Sequence, residues 1–182
     1  MISMELMQTV LQEISGVLER VKPEELSAVA DCIQKQHRIF VDGEGRSGLM
    51  AKGFAMRLMH LGYQAYVVGE TITPAVSQGD VFIAVSGSGE SAYVVSDAKK
   101  AKEKGCTVVA VTSKPESTVA KAASAILTVP GTVRGDGGES RGSIQLLSSL
   151  FDQSLHITLD VLCLMLSRRD HTSNDTATGK HW

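Results

Sequence analysis

Five short apolar runs, spaced by stretches of helical periodicity, decide what this chain can fold into. They are Arg38-Ile39-Phe40-Val41, Ala65-Tyr66-Val67-Val68, Val81-Phe82-Ile83-Ala84-Val85, Thr107-Val108-Val109-Ala110-Val111 and Ala125-Ile126-Leu127-Thr128-Val129. None alternates cleanly between apolar and polar residues, so each reads as a strand covered on both faces. Helical stretches over 47–61, 92–104 and 117–123 lie between them, the first two closed by Gly62 and Gly105. This order predicts an α/β fold with a doubly wound, five-stranded parallel sheet of the flavodoxin-like kind. Ligands of such a sheet bind beyond the carboxyl ends of its strands.

The flanks are helical. Met7, Val10, Leu11, Ile14, Val17, Leu18 and Val21 recur at helical spacing, and Pro23 with Glu24 and Glu25 opens a second helix. The predicted layout is one domain over 1–182: N-terminal helices over 4–34, the α/β core over 37–130, a C-terminal helix over 145–167 and a polar tail over 168–182. The segment 130–142 is rich in glycine and charge and reads as a mobile loop, and the tail as disordered unless a partner holds it. The long helix is apolar nearly all round, but Asp152, Gln153, His156 and Asp160 argue against a lipid-facing span. It reads as a buried helix that a single domain covers only in part, so a subunit interface is expected there, joined by the first helix.

Composition excludes several classes. A formal net charge of −2 leaves no footprint for nucleic acid. Cys32, Cys106 and Cys163 are widely separated, have no metal-ligand spacing and read as buried thiols in a reducing compartment, so no metal is expected. The start of the chain lacks the basic residues and apolar run of a secretory signal, and a cytoplasmic, non-membrane protein is expected.

Two strand ends carry small, hydroxyl-bearing loops: Gly43-Glu44-Gly45-Arg46-Ser47-Gly48 and Ser86-Gly87-Ser88-Gly89-Glu90-Ser91. Glycine lets backbone approach a ligand, while serine hydroxyls and free amides at a helix amino end donate to phosphate oxygens. Two such loops at one crevice would make one phosphate site. Each is also compatible with an ordinary strand-to-helix turn, and Ser91 with a helix N-cap. The first loop fits G-x-G-x-x-G as well, with Glu70 ending the next strand where a ribose-binding acid would stand. Dinucleotide binding is therefore the rival reading, although it leaves the second loop unexplained and the chain has little room for a separate substrate domain.

The two loops, in this order on this sheet, resemble the sugar isomerase (SIS) domain. The run Gly45-Arg46-Ser47-Gly48-Leu49-Met50-Ala51-Lys52, continued by Phe54-Ala55-Met56-Arg57-Leu58-Met59-His60-Leu61-Gly62, narrows the resemblance to the 6-phospho-3-hexuloisomerases. Val68-Gly69-Glu70, Thr73-Pro74, Gln145 and Ser149-Leu150-Phe151-Asp152-Gln153 extend it over about 4–166. Three departures stand out: Glu44 where that family has a small residue, Asp152 where it has Glu, and the ending His181-Trp182 where the family's His is followed by a further short tail. The resemblance implies interconversion of D-arabino-hex-3-ulose 6-phosphate and fructose 6-phosphate. It also implies a homotetramer with sites shared between subunits, and a 3-hexulose-6-phosphate synthase as functional partner. Such a reaction needs no redox cofactor: a base takes the C2 proton, an enediol forms, and the proton returns at C3.

On this reading Ser47, Ser86, Ser88 and Ser91 bind the phosphate, with Gly45, Arg46, Gly87 and Gly89 completing the substrate loops. Asp152 is the first choice for the base, near the start of an apolar helix where an unpaired charge is costly. Charge at a helix amino end is its alternative role. His60 and His181 are further acid–base candidates. His60 suits a structural role at a helix end equally well; the resemblance implies that His181 is the counterpart of a C-terminal His reaching a neighbouring subunit's site, and a residue of a frayed tail is its alternative reading. Glu44 beside a phosphate site is repulsive unless it turns away or pairs with Arg46. Another aldose–ketose phosphate isomerase and a non-catalytic sugar-phosphate sensor are the alternative functions.

Overall fold

Every strand sends alternate side chains to opposite faces of one sheet, and both faces are covered. The computed structural model describes residues 2–181, apart from the side chains of Ile2, Glu139 and Ser140. The strands are β1 (Arg38–Gly43), β2 (Gln64–Val67), β3 (Val81–Val85), β4 (Thr107–Thr112) and β5 (Ala125–Thr128). All pair in parallel, in the order β2-β1-β3-β4-β5. The chain therefore reverses its direction of travel across the sheet between β1 and β3, which opens a crevice at their carboxyl ends.

Helices α1 (Ile2–Leu18), α2 (Pro23–Cys32), α3 (Gly45–His60) and α6 (Ser149–Arg169) cover one face, and α4 (Ala92–Glu103) and α5 (Thr118–Ala122) the other. Ile39, Val41, Ile83, Val85, Val109, Val111 and Leu127 face the first group. Phe40, Phe82, Ala84, Val108 and Ala110 face the second. This division explains the continuous apolar runs of the strands. At the amino end of the sheet, Arg38 closes on Asp80 (Nε to Oδ1, 2.9 Å). The carboxyl end stays open for a ligand.

Three expectations need correction. The last long helix starts at Ser149 rather than near residue 145. Leu147 takes a left-handed conformation (φ 52°), and side chains elsewhere take up the backbone groups of 144–147 that a helix would have used. The tail is not formless: α6 runs to Arg169, and α7 (Asn174–Thr178) follows, with Ser173 capping Thr176 N at 3.1 Å. Arg169 anchors the root of the tail through the carbonyls of Ala30 and Ile33, each at 2.7 Å. The loop over 130–142 is also built rather than free. It holds a 3-10 turn (Gly138–Arg141), and Thr132 Oγ1 donates to Arg141 O at 2.7 Å.

Among the described residues α6 is the one helix long and apolar enough to span a bilayer. Here Leu155, Leu159, Leu162 and Leu166 are buried against the domain. Ile157, Val161 and Leu164 remain open, as do Met4, Met7 and Leu11 on α1.

The first glycine loop has a packing reason. A Cβ on Gly48 would lie 2.4 Å from the carbonyl oxygen of Gly43, and one on Gly43 would lie 3.0 Å from Gly48 Cα. The end of β1 and the start of α3 therefore touch backbone to backbone. Gly53, one turn along α3, has open space around it. Gly48→Ala should destabilise the fold by about 1–3 kcal/mol, as overpacking does. Gly53→Ala should stabilise it by about 0.5–1 kcal/mol through lower chain entropy. Urea unfolding of the two variants beside the parent checks the opposite signs.

Candidate functional site

The crevice between β1 and β3 widens into a cleft of about 670 Å³, within the range of small-molecule sites. Three helices point their amino ends into it. Gly45, Arg46 and Ser47 open α3, Ser91 precedes α4, and Ser148 and Ser149 open α6; all line the cleft. At none of the three does the N-cap side chain bond the first turn of its own helix. Three sets of first-turn amides, each at the positive end of a helix, thus face one cavity. That arrangement favours an anion.

Asp152 is the buried carboxylate of the cleft, with only 1% of its surface exposed. Ser47 Oγ donates to its Oδ1 at 2.6 Å, and Arg46 Nε lies 3.7 Å from its Oδ2. Burial raises its pKa above the ordinary carboxylate value, while the Ser47 hydroxyl and the Arg46 charge pull it back only in part. The group is thus held nearer the working range of a general base than a surface aspartate. Arg46 Nη1 also donates to Ser149 Oγ at 2.9 Å, so its guanidinium bridges α3 and α6. It does not turn to Glu44, which is exposed at the cleft edge.

The second loop divides its labour. Gly87, Ser88 and Ser91 line the cleft. Ser86 and Gly89, expected as ligands, lie behind it. Ser86 is buried, shares a 2.9 Å hydrogen bond with Ser91 Oγ, and accepts Gly89 N at 3.1 Å. Gly89 has φ +69°, and a Cβ there would sit 1.9 Å from Ser117 Oγ. These two residues shape the turn that presents Ser88 and Ser91. Glu90 anchors the same turn to α5 by accepting Thr118 N at 2.8 Å.

The two histidines are not brought to this chain's cleft. His60 ends the 16-residue α3, at the far end from the cleft, which places it roughly 22 Å away along the helix axis. It is buried and stacked on His181, ring centroids 5.3 Å apart. Burial, Arg57 and His181 lower its pKa, which keeps its imidazole neutral near pH 7. Trp182, the neighbour of His181, lies outside the described residues. Glu70, the ribose-binding acid of the rival reading, stands apart from the cleft with its Oε1 3.9 Å from Lys52 Nζ.

Sequence reasoning missed the third wall: Val133, Arg134 and Gly135 from the loop after β5, with Leu147 and Ser148. Arg134 N donates to Ser148 Oγ at 3.0 Å and joins the two segments. The position of the glycine-rich loop, straight after a strand's carboxyl end, was the available signal. Among the described residues no cluster of His, Cys, Asp and Glu is placed to hold a metal.

Asp42, just behind the first loop, was also not singled out. It is buried, and its Oδ2 has no hydrogen-bond partner. Burial, together with Asp97 and Glu44, pushes its pKa up to about 6 from an ordinary 3.8. The folded state thus holds this proton more tightly than the unfolded chain. Its contribution to stability is full below about pH 3.8, falls as pH rises through about 6, and is lost above. The difference corresponds to at most about 3 kcal/mol. Asp42→Asn should flatten this decline between pH 4 and 7 and raise the unfolding midpoint at pH 7.5, as followed by urea titration at several pH values.

The SIS domain family matches residues 32–157. The chain is 40% identical to the 3-hexulose-6-phosphate isomerase of Bacillus subtilis (strain 168), over 94% of this chain and 93% of that one. It is 39% identical to the 3-hexulose-6-phosphate isomerase of Mycobacterium gastri, over 90% of this chain and 80% of that one. Among solved structures, a hypothetical protein from Methanococcus jannaschii superposes with a TM-score of 0.83 at 30% identity, covering 98% of each chain. Its structure was described as inferring a 3-hexulose-6-phosphate isomerase function.

Proposed function

We propose that this chain, which belongs to the SIS domain family and within it to the 3-hexulose-6-phosphate isomerases, interconverts D-arabino-hex-3-ulose 6-phosphate and fructose 6-phosphate. The observation that carries the site assignment is the pairing, in one cleft, of an anion-binding surface with a buried carboxylate. The phosphate sits among the amino ends of α3 and α4, held by the Ser88 and Ser91 hydroxyls and by backbone amides of Gly45, Ser47 and Gly87, while the Ser47 hydroxyl stays on Asp152. Arg46 adds charge. Asp152 faces the carbon chain and moves the proton between C2 and C3. Its carboxylate form takes the proton from one carbon and returns it to the other through the enediol, while the hydroxyl proton passes between O2 and O3. The amino end of α6, with the segment that leads into it, lies beside the sugar's oxygens and helps to hold them. Asp152 is one methylene shorter than glutamate, and the Ser47 hydrogen bond fixes it in place.

The chain works as a homo-oligomer, a tetramer by resemblance, in the cytoplasm. The uncovered apolar faces of α1 and α6 support that association. His60 and His181 pair at the end of α3 remote from their own cleft, and we assign them to a neighbouring subunit's site. A 3-hexulose-6-phosphate synthase supplies the substrate.

A coupled assay tests the reaction. A synthase, formaldehyde and ribulose 5-phosphate generate the 3-hexulose phosphate, and fructose 6-phosphate is measured with and without the protein. Turnover should depend on the protein and fall at least about a hundredfold in Asp152→Asn. Unchanged turnover in that variant would remove Asp152 from the mechanism, and no turnover with the parent would sink the reaction.

The pH profile gives a second test. A base acts deprotonated, so kcat/KM rises as pH passes upward through the pKa of Asp152. The Ser47 hydroxyl holds that pKa down. Ser47→Ala should therefore move the acid limb of kcat/KM to higher pH. An acid limb that stays in place would contradict the assignment.

A further inference from the structure

We propose that Glu13, on the first helix, is a positioning residue that holds the outer wall of the cleft and so sets substrate affinity; this rests on the isomerase reading above. The wall is the segment 143–148, which leads Leu147, Ser148 and Ser149 to the cavity. It has no regular secondary structure, and Leu147 sits at φ 52°, a conformation that costs a side-chain-bearing residue energy and persists only where its surroundings impose it.

Glu13 supplies part of that imposition. Its Oε1 accepts Ile144 N at 2.8 Å. Its Oε2 accepts Ser143 Oγ at 2.8 Å and Gln145 Nε2 at 3.0 Å. Three donors from three successive residues thus converge on one carboxylate, a grouping that needs the charged form. Burial raises the pKa of Glu13, but the bonds from Ile144, Gln145 and Ser143 and the charge of Arg141 outweigh it, and the net shift is downward. Gln145 is itself buried, although its neighbours Leu146 and Leu147 are exposed. Arg141 completes the brace from the other side by donating to the carbonyls of Gln145 and Leu147.

Glu13 reaches neither the cleft nor Asp152. The base is placed by Ser47 and by its own helix, whereas the wall depends on the brace. Loosening the brace should therefore change how well the substrate is held and leave the proton-transfer step largely intact. A structural role alone would lower the melting temperature with no effect on KM.

The experiment compares Glu13→Gln with the parent in the fructose 6-phosphate direction, with Glu19→Gln, just past the end of the same helix, as a control. Glu19 contacts Ser15 rather than the wall. Glu13→Gln should raise KM about tenfold with kcat within about twofold, and Glu19→Gln should leave both unchanged. Glu13→Asp should fall between Glu13→Gln and the parent. A parental KM in Glu13→Gln, with or without a lower melting temperature, would overturn the proposal, as would a fall in kcat at constant KM. If Glu13→Gln does not fold, Ser143→Ala removes one of the three bonds from the wall's side. It should raise KM about threefold, and a parental KM there overturns the proposal equally. The parent's own turnover, measured in the same series, separates failure of this inference from failure of the isomerase reading.

Discussion

A single hydrogen bond, from Ser47 Oγ to Asp152 Oδ1 at 2.6 Å, ties the functional parts of this molecule together. A carboxylate 1% exposed needs donors, because an isolated buried charge is unaffordable in free energy. Here the donor comes from the first turn of α3, 105 positions away in sequence. That turn is fixed by the backbone contact of Gly48 with Gly43 at the end of β1. The base is thus placed by the sheet, through one loop, rather than by its own helix alone. The same turn also offers its amides to an anion, so substrate binding and base placement share one element.

The order of the strands explains why this happens at one place. β1 is followed outward by β2 on one side, and β3 begins the walk to the other side. Loops leaving β1 and β3 therefore diverge, and their helices α3 and α4 leave a gap between their amino ends. α6 returns from the end of the chain to pack against α3 and closes the gap with a third amino end. Three helix amino ends around one cavity make an anion site without any cluster of lysines, which fits a chain of net charge −2.

Most of this was legible in the sequence because it rests on local rules. Apolar runs without alternation announced a sheet covered on both faces, and the two glycine–serine loops announced the crevice. Ser47, Ser88, Ser91 and Asp152 stand out from their loops and helix alone, and the structure brings all four to one cleft. The misreadings arose where side chains far apart in sequence decide the backbone. Residues 145–148 look helical by composition, yet Glu13 and Arg141 hold them out of the helix. Ser86 carries the same hydroxyl as Ser88, but only the turn's geometry sends one inward and the other to the cleft. His60 has the right chemistry for acid–base work, but sixteen helical residues carry it to the wrong end for its own cleft.

Solvent hydrogen exchange into fructose 6-phosphate tests the central claim most directly, because it follows the proton that Asp152 is said to move. Incubated with the protein in deuterium oxide, fructose 6-phosphate should gain deuterium at C3 and not at C1, as read by proton NMR. Asp152→Asn should abolish that gain while still binding the sugar phosphate. Exchange at C1 would place the carbonyl chemistry at the other end of the sugar. Undiminished C3 exchange in Asp152→Asn would show that another group is the base.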